Sequence, residues 1–161
     1  MLENKLKICF NQFSSFKEDF FRLVMNYLAI DYGEHRVGTA FADSELRWAF
    51  PRRTIDQKKE DLMEALSSMV KSEKIDCFVV GMPYHPEGRA DGKNVVVEAF
   101  IQELKKQFPG MPVETQDESY SSVQAMEKTS YLSKKKKQKS KGIIDCEAAA
   151  IILQNWLDGN K

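Results

Sequence analysis

Three segments that are predicted to be strands follow one another closely, and this series constrains the fold more than any other feature of the sequence. They cover residues 27–30, 36–42 and 48–55, and short polar stretches such as Asp31-Tyr32-Gly33 separate them. Segments joined by such short turns favour an antiparallel meander. Pro51 has no backbone N–H to donate, so the third segment is predicted to be a weak strand or an edge strand.

The pattern then changes from consecutive strands to alternating strands and helices. The helical segments are 58–72, 95–108, 122–131 and 142–157, and the strands between them are 75–80 and 113–116. In the second helix the inward positions are predicted to be Val96, Phe100, Ile101 and Leu104. A meander followed by strand–helix alternation predicts an α/β fold with a mixed five-stranded sheet flanked by helices.

Length and composition limit the class of protein. A chain of 161 residues is long enough for one domain with a real core. It has no run of about 18 apolar residues, so no membrane partner is expected. The 24 basic and 24 acidic residues cancel, which neither indicates nor excludes nucleic acid. Three distant cysteines without zinc-ligand spacing are typical of reduced thiols in a cytoplasmic protein.

The first 24 residues are predicted to lie outside the domain, which we place at 25–161. Phe10, Phe13, Phe16 and Phe20 recur at helical spacing, so this extension could form an amphipathic helix. The favoured alternative is that Met25 begins the natural protein and that the preceding residues are a loose or non-native appendage.

Three carboxylates stand at positions where an α/β fold builds its sites. Asp31 follows a buried strand, Glu118 follows another strand, and Asp145 opens the last helix. An oxygen-only ligand set suits Mg²⁺ or Mn²⁺, which activate water against a phosphodiester. Taken singly, each residue has a structural alternative, namely a turn for Asp31 and helix capping for the other two.

Several residues near these carboxylates are candidates for contact with a nucleic-acid backbone. Gly33 permits a tight turn and a close approach of phosphate. The segment 133–141 is rich in lysine, and its basic residues are Lys134, Lys135, Lys136, Lys137, Lys139 and Lys141. These charges would give salt-dependent binding of phosphates, although a solvated loop without a partner is the alternative. His35 could assist proton transfer, but an exposed turn histidine is the commoner case.

Four ordered blocks of the sequence together resemble the YqgF family. They are Leu28-Ala29-Ile30-Asp31-Tyr32-Gly33 with Arg36-Val37-Gly38-Thr39-Ala40, Val79-Val80-Gly81-Met82-Pro83 with Gly88, Asp117-Glu118 with Ser121-Ser122, and residues 141–153 including Asp145. The resemblance implies an RNase H-like fold, a bacterial cytoplasmic location and metal-dependent hydrolysis of phosphodiester bonds by Asp31, Glu118 and Asp145. It further implies a role in maturing the ends of precursor 16S rRNA, with resolution of branched DNA as the alternative.

One position departs from the family pattern and leaves further alternatives open. Ser119 stands where the family usually has arginine after its acidic pair. Arg36, Arg89 or the lysine segment could supply the missing positive charge to a phosphate. A non-cleaving nucleic-acid-binding module of the same fold therefore remains an alternative. An ATPase is disfavoured because the chain offers one domain and no Gly-rich phosphate loop ending in Lys-Ser or Lys-Thr. The protein is expected to be a monomer or a homodimer.

Overall fold

A computed structural model describes residues 24–83, 92–117 and 142–160, with side chains in the last segment described from Asp145 onward. Five strands form one sheet: β1 Asn26–Tyr32, β2 Arg36–Asp43, β3 Phe50–Asp56, β4 Cys77–Met82 and β5 Val113–Asp117. The described helices are α1 Leu62–Glu73, α2 Gly92–Gln107 and α3 Gly142–Gly159. The predicted helix at 122–131 and the lysine-rich segment 133–141 lie outside the described residues.

The sheet is mixed, with the order β3-β2-β1-β4-β5. Strands β1, β2 and β3 pair antiparallel as the predicted meander, whereas β4 and β5 continue the sheet in parallel with β1. Pro51 lies in β3, and β3 is an edge strand, as predicted. Since β1, β4 and β5 are parallel, their carboxyl ends lie along the same edge of the sheet.

The two faces of the sheet are packed with side chains of different size. On one face, large residues such as Leu28, Ile30 and Phe78 form a core with α1 and α2. On the other face, small residues of the strands pack against α3. The residues of this second cluster are Ala29, Ala40, Ala42, Ala49, Val79, Ala149, Ile152, Leu153 and Leu157. Small side chains let a helix axis approach the sheet closely, so α3 lies tightly over β1 and β2.

Contacts at the carboxyl end of α3 fix the direction in which this helix runs along the sheet. Trp156 packs on Tyr27 at the start of β1, with ring centroids 5.0 Å apart. The guanidinium of Arg47 donates to the carbonyl oxygens of Leu157 and Asn160, which caps the last turn of the helix. Helix α3 therefore begins near the carboxyl end of β1 and ends near its start.

The predicted start of the first helix, at residue 58, is wrong. Helix α1 begins at Leu62, where the Asp61 carboxylate caps it by accepting from the backbone N–H of Glu64 at 2.8 Å. The residues before it form a turn in which Asp56 Oδ1 accepts from the Lys58 N–H. This local hydrogen bond competes with helix formation.

Of the four inward positions predicted for the second helix, Phe100, Ile101 and Leu104 are confirmed, and Val96 is wrong. Val96 is 39% exposed, whereas Val97 is only 4% exposed and packs in the core. Val97 shares the spacing of Phe100, Ile101 and Leu104, so these four residues form one helical face.

Among the described helices, none has the length and apolar character needed to cross a lipid bilayer.

Candidate active site

Asp31 lies near the carboxyl end of the central strand, on the face that α3 covers. Side chains alternate along β1, so Asp31 shares the face of Ala29, which packs against α3. Its register partner on β2 is Gly38. The site therefore starts from a carboxylate that is partly buried between the sheet and the first turn of a helix.

Gly38 brings Asp145 to this position. A Cβ atom added to Gly38 would lie 1.9 Å from the Asp145 carbonyl oxygen and 3.0 Å from the Cys146 backbone nitrogen. Only glycine leaves room for the helix backbone at this point. Because Gly38 pairs with Asp31, the first turn of α3 meets the sheet beside Asp31.

Among the described residues, Arg36 forms an ion pair with the Asp145 carboxylate. Arg36 Nε lies 3.2 Å from Asp145 Oδ2. This separation makes an ion pair, but the contact is not aligned as a hydrogen bond, and Oδ2 is buried without a hydrogen-bond donor among the described residues. A buried carboxylate oxygen that accepts no hydrogen bond is costly, which makes this atom a candidate cation ligand.

Both carboxylates line one small pocket of about 250 Å³, together with Gly33, His35 and Arg36. Burial raises the pKa of the Asp31 carboxyl above its ordinary value, and the nearby charge of Asp145 raises it further. Asp31 thus lies beside a second carboxylate in the same pocket, and a cation bound between the two would stabilise the ionised form of Asp31.

The turn after β1 is held by hydrogen bonds that the sequence pattern does not reveal. The Gly33 N–H donates to the Arg36 carbonyl at 3.2 Å, and a Cβ at Gly33 would lie 2.7 Å from that oxygen. The Gln57 side chain donates to the Gly33 carbonyl at 2.7 Å, and its backbone N–H donates to His35. Gln57 is thus a positioning residue that sequence reasoning missed, since an ordinary polar residue carries no signal of this role.

A larger groove of about 760 Å³ adjoins this pocket and shares Asp31 and Gly33 with it. It lies between the carboxyl ends of β1 and β4 and the first turns of α2. Asp31 therefore stands between two cavities on the same edge of the sheet.

The structure brings together four predicted site residues, namely Asp31, Gly33, Arg36 and Asp145, and the others lie outside the described residues. Those others are Glu118, Arg89 and the six lysines of segment 133–141. Strand β5 ends at Asp117, one residue before Glu118. Asp31 and Glu118 do not follow neighbouring strands, because β4 lies between β1 and β5. Within the described ranges, no three acidic, histidine or cysteine side chains form a metal-binding group.

The strand order, the central position of β1 and the acidic pocket at its end define an α/β protein of the RNase H-like class. RuvC of T. thermophilus, solved in complex with a Holliday junction substrate, has the same fold, with a TM-score of 0.53. The likeness covers 84% of this chain and 95% of RuvC at 13% sequence identity.

The chain belongs to the RuvX family, whose model is described as Holliday junction resolvase and matches residues 25–159. RuvX is another name for the YqgF family, so the resemblance to that family is confirmed. The relative from Chlorobium chlorochromatii is 34% identical over 86% of this chain and 99% of its own length. The relative from Chlorobaculum tepidum is 37% identical over 83% of this chain and 93% of its own length. Both relatives carry the name "Putative pre-16S rRNA nuclease".

Proposed function

We propose that this chain is a cytoplasmic, divalent-metal-dependent nuclease that trims the ends of precursor 16S rRNA. Family membership and the names of its relatives support hydrolysis of phosphodiester bonds. The observation that carries the proposal is the pocket that Asp31 and Asp145 both line at the end of the central strand.

The residues of this pocket fit a divalent cation. Asp145 Oδ2 is buried without a hydrogen-bond donor among the described residues, and Asp31 is held partly buried beside it. Both offer carboxylate oxygen, the ligand type that Mg²⁺ and Mn²⁺ prefer. We assign Asp31, Asp145 and Glu118 as ligands, with Glu118 following the strand that ends at the same edge of the sheet.

Within this proposal, a bound cation would lower the pKa of an attacking water and offset charge on the phosphate. The chain's own residues position the reaction. Gly33 lines the pocket without a side chain, which we assign to a close approach of phosphate, and its tight turn has no room for a Cβ beside the Arg36 carbonyl. Arg36 fixes the Asp145 carboxylate and supplies positive charge to a bound phosphate. Water adds to phosphorus, the bond to the leaving oxygen breaks, and that oxygen takes up a proton.

The basic side chains beyond the pocket complete the proposed substrate contact. Arg89 and the lysines of segment 133–141 are assigned to the nucleic-acid backbone. Such contacts give affinity that falls with salt and does not depend on sequence. We propose that the active form is a monomer or a homodimer that encompasses domain 25–161.

A cleavage assay tests the proposal directly. Purified protein is incubated with end-labelled precursor 16S rRNA, with magnesium or manganese and with a chelator. We expect cleavage only with metal, and we expect the Asp31→Asn variant to lose it while remaining folded. Glu45→Gln is the matched control, because Glu45 is an exposed acid remote from the pocket.

The same assay includes a four-way DNA junction, because the family description favours a resolvase as the second candidate. Symmetric cutting of the junction without cleavage of the RNA would replace the first candidate by the second. Metal-independent binding without any cleavage would instead identify a non-cleaving module, and magnesium-dependent activity in Asp31→Asn would remove Asp31 from the mechanism.

A further inference from the structure

Apart from Asp31 and Gly33, the residues that line the groove beside Asp31 are not part of the proposed cleavage site. Its volume of about 760 Å³ falls within the range of pockets that hold small organic ligands, roughly 300–1,000 Å³. Its walls come from the ends of β1 and β4 and from α2, and they include Tyr32, Gly81, Lys93 and Val96. The groove is therefore large enough for one nucleotide.

The α2 wall combines an apolar surface with one positive charge. Val96 is 39% exposed and faces the groove, and Val97 lies beneath it in the core. Lys93, one turn earlier, makes no ion pair with any residue in the described part of the chain. A nucleotide offers a matching pair of groups, an apolar base and an anionic phosphate.

The β1 wall is packed against α2 and carries negative charge. The Tyr32 ring stacks on Phe100 with centroids 4.2 Å apart, which ties the end of β1 to α2. Glu34 lies on this wall and repels phosphate, so a phosphate is favoured on the Lys93 side. The groove can thus orient a nucleotide as well as accommodate one.

The groove also opens directly onto the proposed cleavage site. Asp31 and Gly33 line both cavities, so a chain whose phosphate lies at Asp31 can continue into the groove without a gap. A base inside a duplex is covered on both faces by its neighbours and on one edge by its partner, and it must leave the stack to enter such a pocket.

We propose that this groove binds one unpaired nucleotide next to the scissile phosphate, with the base against Val96 and the phosphate at Lys93. The inference rests on the proposed function and deepens it, because it restricts the substrate to nucleic acid that is single-stranded beside the cut. Val96 and Lys93 are then specificity-determining residues that contact substrate outside the reacting atoms.

Two neighbouring valines provide a matched test. Val95 is 58% exposed, precedes Val96 and does not line the groove. Val96→Ser should raise the KM for a substrate with an unpaired flanking nucleotide on the order of tenfold, with little change in kcat. Val95→Ser should leave both constants at the wild-type values. Equal effects of the two variants would overturn the inference.

Lys93 is tested by the salt dependence of binding. In chelator-containing buffer, fluorescence anisotropy measures the affinity for a labelled single strand as salt is raised. Lys93→Gln should reduce the slope of log affinity against log salt by about one, whereas Lys106→Gln, in the last turn of the same helix, should leave it unchanged. Identical slopes for the two variants would contradict a phosphate contact at Lys93.

Binding and cleavage together separate failure of this inference from failure of the proposed function. If the wild type prefers single strand to duplex, and Val96→Ser removes that preference but no variant cleaves, the groove stands and the nuclease proposal fails. If the wild type cleaves fully paired and unpaired substrates equally well, the nuclease proposal stands and the inference about the groove fails.

Discussion

Replacing Gly38 with alanine tests whether the approach of α3 to the sheet creates the site. The added Cβ would lie 1.9 Å from the Asp145 carbonyl oxygen and 2.4 Å from its carbonyl carbon. Ordinary van der Waals contact begins at about 3.4 Å, so the helix and strand must separate by roughly 1.5 Å. The neighbouring atoms are backbone, which cannot rotate aside as a flexible side chain would.

Two effects of different size should follow from Gly38→Ala. Overpacking of this kind costs about 1–3 kcal/mol of unfolding free energy, which a domain of typical stability, about 5–15 kcal/mol, tolerates. The same displacement moves Asp145 away from Asp31 and Arg36. A misplacement of about 1 Å in a catalytic group can cost about 10²-fold in rate, so activity should fall far more than folding does.

Urea unfolding and kcat on an unpaired substrate measure the two effects separately. Gly159→Ala is the control, since a Cβ there meets nothing within 4 Å and the residue lies at the opposite end of α3. The control should match the wild type in both measurements. Wild-type activity in a folded Gly38→Ala protein would refute the argument that this glycine positions Asp145 for catalysis.

Three further predictions concern the charges and thiols of the described residues. Burial and the charge of Asp145 raise the pKa of Asp31, so the ionised carboxylate disfavours folding at pH values above its ordinary pKa. Asp31→Asn should therefore stabilise the metal-free protein at about pH 7, and this gain should vanish as the pH falls through the folded-state pKa of Asp31. Urea unfolding with chelator measures the gain, and the control Glu45→Gln should show none. Arg36→Gln should lower metal-free stability by less than about 1 kcal/mol and increase the rise in Tm on adding magnesium, because the cation then replaces a lost positive charge; an unchanged metal response would contradict this role. Burial raises the pKa of the Cys77 thiol to about 11, so peptide mapping should find it alkylated at neutral pH only after unfolding.

Local sequence pattern predicted most of the fold because it records which side chains are buried. Pro51 indicated an edge strand through its missing donor, and β3 is at the edge. The face of α2 was harder to predict because Val95, Val96 and Val97 are consecutive and equally apolar. Of the three, Val97 alone completes the i, i+3, i+4, i+7 spacing with Phe100, Ile101 and Leu104, and the structure buries it.

From the sequence, the residues of the site could be predicted only where they stand at the end of a strand or at the start of a helix. Asp31 and Asp145 were found because each stands at the end of an element, and the structure brings both to one pocket. The contact of Arg36 with nucleic acid stays a prediction, and nothing in the sequence indicated its ion pair with Asp145. The ion pair between Arg36 and Asp145 depends on where α3 packs on the sheet, which the local sequence does not indicate. The local sequence likewise does not indicate that β4 lies between β1 and β5.

The geometry of the pocket depends on residues that have no chemistry of their own. On the face that α3 covers, β2 presents Gly38, Ala40 and Ala42 in alternation, and β1 presents Ala29 and then Asp31. The small side chains set the depth at which the helix lies. The Arg47 cap and the contact between Tyr27 and Trp156 fix its far end. Because that end is anchored, the distance of the first turn of α3 from the sheet is set by the backbone contact between Gly38 and Asp145. The two carboxylates line one pocket because small side chains let α3 lie close to the sheet. The geometry of the pocket is therefore sensitive to added volume at positions that do not contact substrate.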